Sequence, residues 1–188
     1  MLDAARYQWL IGELDKGQAA GQLMIIAAHI PIGVSKPGSF MDWNPASAVT
    51  EDALIAKLHT YPNLLAWLSG HRHMNVVTPF PSPDAAHPEL GFWEIETASL
   101  RDAPQQFRTF QIVRNSDNTV SIVATDVDPA VADGSIAAIS RAYGIAAHEL
   151  FNTPDPYAPT GAYNATLVKQ LSPQMQAVLA SLGIPAAG

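Results

Sequence analysis

The run Leu64-Leu65-Ala66-Trp67-Leu68-Ser69-Gly70-His71-Arg72-His73-Met74-Asn75 turns abruptly from apolar residues to Gly-His-Arg-His. Two of the chain's six histidines stand one residue apart there, and a third, His29, follows a second apolar run, Leu23-Met24-Ile25-Ile26-Ala27-Ala28. In a chain with no cysteine, imidazole is the natural donor for a borderline divalent cation. Gly70 lets the backbone bend just before the pair. If the chain beyond it stays extended, residues 71 and 73 point to one side and Arg72 to the other. His29, His71 and His73 then converge on a common cation. Each residue also has a plainer reading: a lone buried histidine is usually a hydrogen-bonded core residue, and an arginine beside it is usually solvated.

The elements that must position these residues follow from periodicity. Tyr7, Leu10, Ile11 and Leu14 are spaced as one face of a helix over residues 3–16, ended by Gly17 and Gly21. Thr50 is an N-cap, with Glu51 and Asp52 in the first turn of a helix reaching about His59. The two apolar runs read as strands buried on both faces. Helix, strand, helix and strand in that order predict a parallel α/β layer. His29 and His71 fall at its carboxyl edge, where such sheets bind ligands. The remaining histidines are expected to be structural or solvated: His59 at a helix C-terminus, His87 in a Pro-rich loop, and His148 on or near a helix.

Beyond the Pro-rich stretch 79–88 the texture changes. Residues 92–98, 107–114 and 119–126 alternate and read as an antiparallel meander. Residues 131–143 and 165–182 look helical, whereas 34–47 and 152–161 read as irregular or extended. The chain of 188 residues, 48% hydrophobic, suffices for one sizeable core. We divide it into residues 1–128 and a helical extension, 129–188, packed on them. A net charge of -7 and the absence of any basic run argue against a nucleic-acid-binding surface. The start lacks the basic and apolar regions of a signal peptide, and no apolar stretch is long enough to span a membrane. Neither feature fixes a compartment.

Three segments together resemble the C-terminal part of a calcineurin-like metallophosphoesterase, over roughly residues 3–125. Gln8-Trp9-Leu10-x-x-Glu13-Leu14 resembles the helix before that family's fourth motif. Met24-Ile25-Ile26-Ala27-Ala28-His29-Ile30-Pro31 resembles the strand and His-x-Pro of the motif itself. Leu68-Ser69-Gly70-His71-Arg72-His73 resembles the Gly-His-x-His that closes the metal site. The resemblance implies an αββα sandwich, of which this chain would form the second half: a parallel or mixed sheet, then an antiparallel meander, then a helical tail. It also implies two divalent ions (Mn, Fe or Zn), with His29 and His71 on one and His73 on the other, and a phosphate ester as substrate, whose phosphate Arg72 and Asn75 would help position. The family's Asp-x-His, Gly-Asp and Asn-His motifs precede the fourth motif, and none stands in the corresponding place here.

That departure matters energetically. Two dications about 3.5 to 4 Å apart repel by roughly 17 to 19 kcal/mol at an effective dielectric of 20. Neutral imidazoles offset none of this as charge. The acids nearest the histidines in sequence, Asp42, Glu51, Asp52 and Asp84, belong to no ligand motif. A phosphomonoesterase or phosphodiesterase activity is therefore expected of a complete site, and little activity of this chain alone. Two alternatives stand beside that reading. One is a non-catalytic assembly module that self-associates or is complemented by the missing half of the sandwich. The other is a mononuclear zinc hydrolase built on the three histidines.

Overall fold

The computed structural model describes residues 2–32, 49–150 and 164–187. Asp42 and the whole of the two segments read as irregular or extended lie outside them. Helix α1 (Ala4–Ala19) is capped by Asp3, whose carboxylate accepts the Arg6 amide at 2.8 Å. Strand β1 (Met24–Ala27) follows, then helix α2 (Glu51–Leu58), capped by the Thr50 hydroxyl as its sequence indicates. Strands β2 (Leu64–Ser69), β3 (Val76–Phe80) and β4 (Phe92–Glu96) complete a sheet of order β1-β2-β4-β3. In it β1, β2 and β4 run parallel and β3 is antiparallel to β4.

A second sheet is formed by β5 (Phe107–Arg114), β6 (Thr119–Val127) and β7 (Ala165–Gln170), all antiparallel. Helices α3 (Ile136–Leu150) and α4 (Pro173–Ser181) flank β7 in the chain. The fold is thus α/β, a mixed sheet followed by an antiparallel one. Among the described residues, no helix is long and apolar enough to cross a membrane.

Two cores hold the layers together. On one face of the first sheet, Leu10, Leu14, Leu54 and Leu58 of the helices bury against Met24, Ile26, Leu64 and Trp67. On the other, Leu65, Ala66 and Ile95 meet Val120, Ile122 and Leu167 of the second sheet, and Met175 and Leu179 of α4 close the gap. Full burial of such side chains stabilises by about 1.5–3 kcal/mol each. Leu64 and Trp67 share a face although three residues apart. A register shift between Met24 and Ile25 skips Leu65, so the strand's strict alternation breaks there.

The two sheets are also joined by charge. Arg108 forks onto Asp126 across the β5–β6 pair, at 2.7 and 3.1 Å, and donates to the Glu96 carbonyl at the end of β4. Lys169 of β7 is buried and gives its ammonium to the carbonyls of Glu89 and Gly91, at 2.5 and 2.6 Å.

Four expectations need correction. Residues 92–96 belong to the first sheet and run parallel to β2, not to a meander. Their antiparallel neighbour β3 contains Pro79, which is tolerated because β3 is an edge strand and needs no donor there. Residues 165–170 are strand, not helix: Leu167 and Lys169 turn inward and the β-branched Thr166 and Val168 outward. The helix expected over 131–143 begins only at Ile136, after the left-handed Gly134. Finally, β1 is buried on one face only, and Ile25 is 43% exposed.

Candidate metal centre

The parallel ladder runs on past the ends of its strands. Ala28 donates to the Leu68 carbonyl at 2.9 Å, Gly70 to the His29 carbonyl at 3.1 Å, and Thr97 to the Ser69 carbonyl at 2.9 Å. These bonds zip the loop after β1 to the loop after β2, and so bring His29 and His71 side by side. Nε2 of His29 lies 3.1 Å from Nδ1 of His71, with the rings edge to face and their centroids 5.0 Å apart.

The backbone beyond Gly70 is not extended. His71 and His73 both adopt left-handed torsions, with φ of 74° and 58°. Non-glycine residues seldom do so, and such strain concentrates at functional sites. The coil turns the two side chains to different partners. His71 meets His29, whereas Nδ1 of His73 pairs with the Asp102 carboxylate. Among the described residues, no three histidine or carboxylate side chains stand close enough together to hold one ion.

The pair His29 and His71 fits two coordination positions of one cation. Two nitrogens each about 2.1 Å from an ion and roughly 95° apart are roughly 3.1 Å from one another. Nε2 of His71 is buried and without a hydrogen-bond partner. A neutral ring whose Nε2 has no acceptor keeps its proton on Nδ1 and donates it to Nε2 of His29, so a cation at the pair would have to displace that hydrogen bond. His73 is prepared differently: a carboxylate on Nδ1 fixes the tautomer and leaves the lone pair on Nε2, the arrangement that orients ligating histidines. The donor set for a second ion, above all a bridging carboxylate, is not assembled among the described residues.

Arg72 and Asn75 are placed for support. Arg72 donates its amide and its guanidinium to Glu96, with Nε 2.8 Å from Oε2. That hydrogen bonding raises the guanidinium further above its ordinary range, against the opposing effect of burial. Asn75 is buried; its amide donates to Gln106 at 2.7 Å and its carbonyl accepts the Ala98 amide at 3.0 Å. Both side chains hold the loop's shape. Glu94, 4% exposed, accepts the Ile32 amide at 2.6 Å. Burial, reinforced by the neighbouring Glu96, pushes its carboxyl up to about 7 even though the Ile32 bond and Arg72 pull it down.

His59 and His87 are structural or solvated, as expected. His59 bonds the Leu90 carbonyl and lies against Phe92, and exposed His87 bonds Glu89. His148 stands on α3. Asp84 caps its own turn through the Ala86 amide. Glu94, Glu96 and Asp102 were not visible from the sequence. The two glutamates alternate with apolar residues in Phe92-Trp93-Glu94-Ile95-Glu96, the usual pattern of a solvated strand face. Asp102 sits in a loop 29 residues from its partner.

No protein-family model and no curated protein matches the chain. Among solved structures, a dimetal phosphatase from Danio rerio is similar over 67% of this chain, with 16% identity and a TM-score of 0.44. The chain spans 35% of that protein's length.

Proposed function

We propose that this chain is the metal-ligating C-terminal portion of a metal-dependent phosphoric ester hydrolase. His29 and His71 hold one divalent ion and His73 serves a second. The observation that carries the reading is the contact between His29 and His71 at a parallel sheet's carboxyl edge. A divalent ion bound there supplies Lewis-acid polarisation of a phosphoryl oxygen. The chain's own residues orient and confine: Asp102 fixes the His73 ring, Glu96 and Arg72 fix the coil that carries His71, and Asn75 pins the loop to Ala98. The substrate is a phosphomonoester or phosphodiester. Turnover requires a bridging carboxylate supplied from beyond these residues.

Calorimetric titration with Zn²⁺ or Mn²⁺ tests this. The expected result is no more than one ion per chain at the His29 and His71 pair, weakened at least tenfold, about 1.4 kcal/mol, by His71→Ala. Nitrophenyl phosphate turnover by the isolated chain should stay near the blank. Absence of any ion binding overturns the reading. Strong turnover abolished by His71→Ala overturns only the incompleteness.

A second reading, an assembly module, is favoured by β1. Among the described residues it pairs on one side alone, with Ile25 exposed and Trp9 of α1 66% exposed. Light scattering that shows a monomer without hydrophobic-dye binding removes it.

A further inference from the structure

A cleft of about 860 Å³ opens between the Gly-His-Arg-His coil and helix α3. That volume suits a small organic ligand. One wall carries His73, Asp102 and Arg101; the other carries Ile136, Ile139 and Tyr143. Those three recur at helical spacing along one stripe of α3. None of the fifteen residues of α3 is buried, and Ile136 and Tyr143 are 86% and 74% exposed. Solvating such a stripe forfeits the hydrophobic stabilisation its burial would bring. The helix is held instead by polar and close backbone contacts. Gln105 donates to Ser140 at 3.1 Å, Arg141 donates to Asp128 at 3.2 Å, and a Cβ at Gly144 would come within 3.3 Å of the Ala103 amide nitrogen. These hold the stripe facing His73, with the cleft left between them.

We infer that this cleft is the subsite for the alcohol portion of a phosphate ester, and that this portion carries a flat apolar ring. The inference rests on the phosphoric ester reading above and adds the substrate class. The two walls divide the ligand. The phosphate belongs at the side of His73 and of Arg101, a cation on an 88% exposed side chain 3.6 Å from Asp102. The ring belongs against Tyr143, which offers an aromatic face, and Met74, whose thioether also lines the cleft.

Equilibrium dialysis of the intact chain, loaded with Zn²⁺, tests this with 1-naphthyl phosphate, glycerol 2-phosphate and inorganic phosphate as probes. Naphthyl phosphate should bind at least tenfold more tightly than either of the others. Tyr143→Ala, at an exposed position, should remove that advantage while leaving inorganic phosphate within twofold and the melting temperature unchanged. Equal binding of the three probes, no measurable binding of naphthyl phosphate, or an advantage that survives Tyr143→Ala overturns the inference. Zn²⁺ retention by the same samples reports separately on His29 and His71. Lost ring preference with zinc retained sinks the subsite alone. Ring preference without zinc sinks the phosphatase reading and leaves a pocket for ring-bearing phosphates.

Discussion

The inter-sheet core and the carboxyl edge of the first sheet are built on the same strands, β2 and β4, yet they obey opposite rules. In the core, Leu65, Ala66 and Ile95 are at most 1% exposed, and α4 adds Met175 and Leu179 to seal them. At the edge, the same strands bury Ser69, Glu94 and Glu96, two histidines depart from ordinary torsions, and α3 overhangs without burying a single residue. The core gathers groups that water rejects. The edge retains groups that burial penalises and apolar side chains that burial would favour. Burial explains α4 and does not explain α3, and that contrast is what the proposed site and cleft rest on.

Three substitutions sharpen the contrast. Met175→Ala opens a cavity in the sealed region and should lower stability by about 2–5 kcal/mol in urea unfolding. A loss below 1 kcal/mol would mean the core is not closed. Glu94→Gln should act in the opposite direction. The unfolded carboxyl ionises near 4.5 and the folded one near 7, so the folded protein holds the extra proton between those values and loses stability as pH rises through them. Removing that burden should raise the melting temperature above pH 7 by about 2–4 °C, or about 1 kcal/mol, with the gain vanishing toward pH 4.5. A fall in melting temperature at pH 8 would show that Glu94 is a stabilising anion instead. Ile136→Ser on α3 should shift stability by less than about 0.5 kcal/mol. A larger loss would give α3 a packing role and erase its difference from α4.

Much of the edge was legible in the sequence because its signals are local. Asp3 and Thr50 mark helix starts, and Gly70 marks the end of β2. Two parallel strands then put His29 and His71 together. The left-handed torsions of His71 and His73 leave no trace in residue type, so the direction of each ring was not legible. Nor were Glu96 and Asp102, because a partner 24 or 29 residues away follows from the fold and not from spacing. The failures in the second sheet have a different cause. Residues 165–170 are too few for a period of two to be told from one of 3.6, and Ser172-Pro173, a sound helix start, lies inside a stretch whose apolar spacing reads as one longer helix. Pro79 concealed β3 because proline is read as a breaker, except on an edge strand.

The hydrogen bond from Gly70 to the His29 carbonyl has a thermodynamic corollary. It sets the two imidazoles side by side through the main-chain pairing of their loops. Folding of the sheet has already met the entropic cost of gathering the donors. On the proposed reading, cation capture and the integrity of the first sheet are one equilibrium: whatever splays β1 from β2 would discharge the ion, and the ion would in turn clasp a strand that, among the described residues, is held from one side.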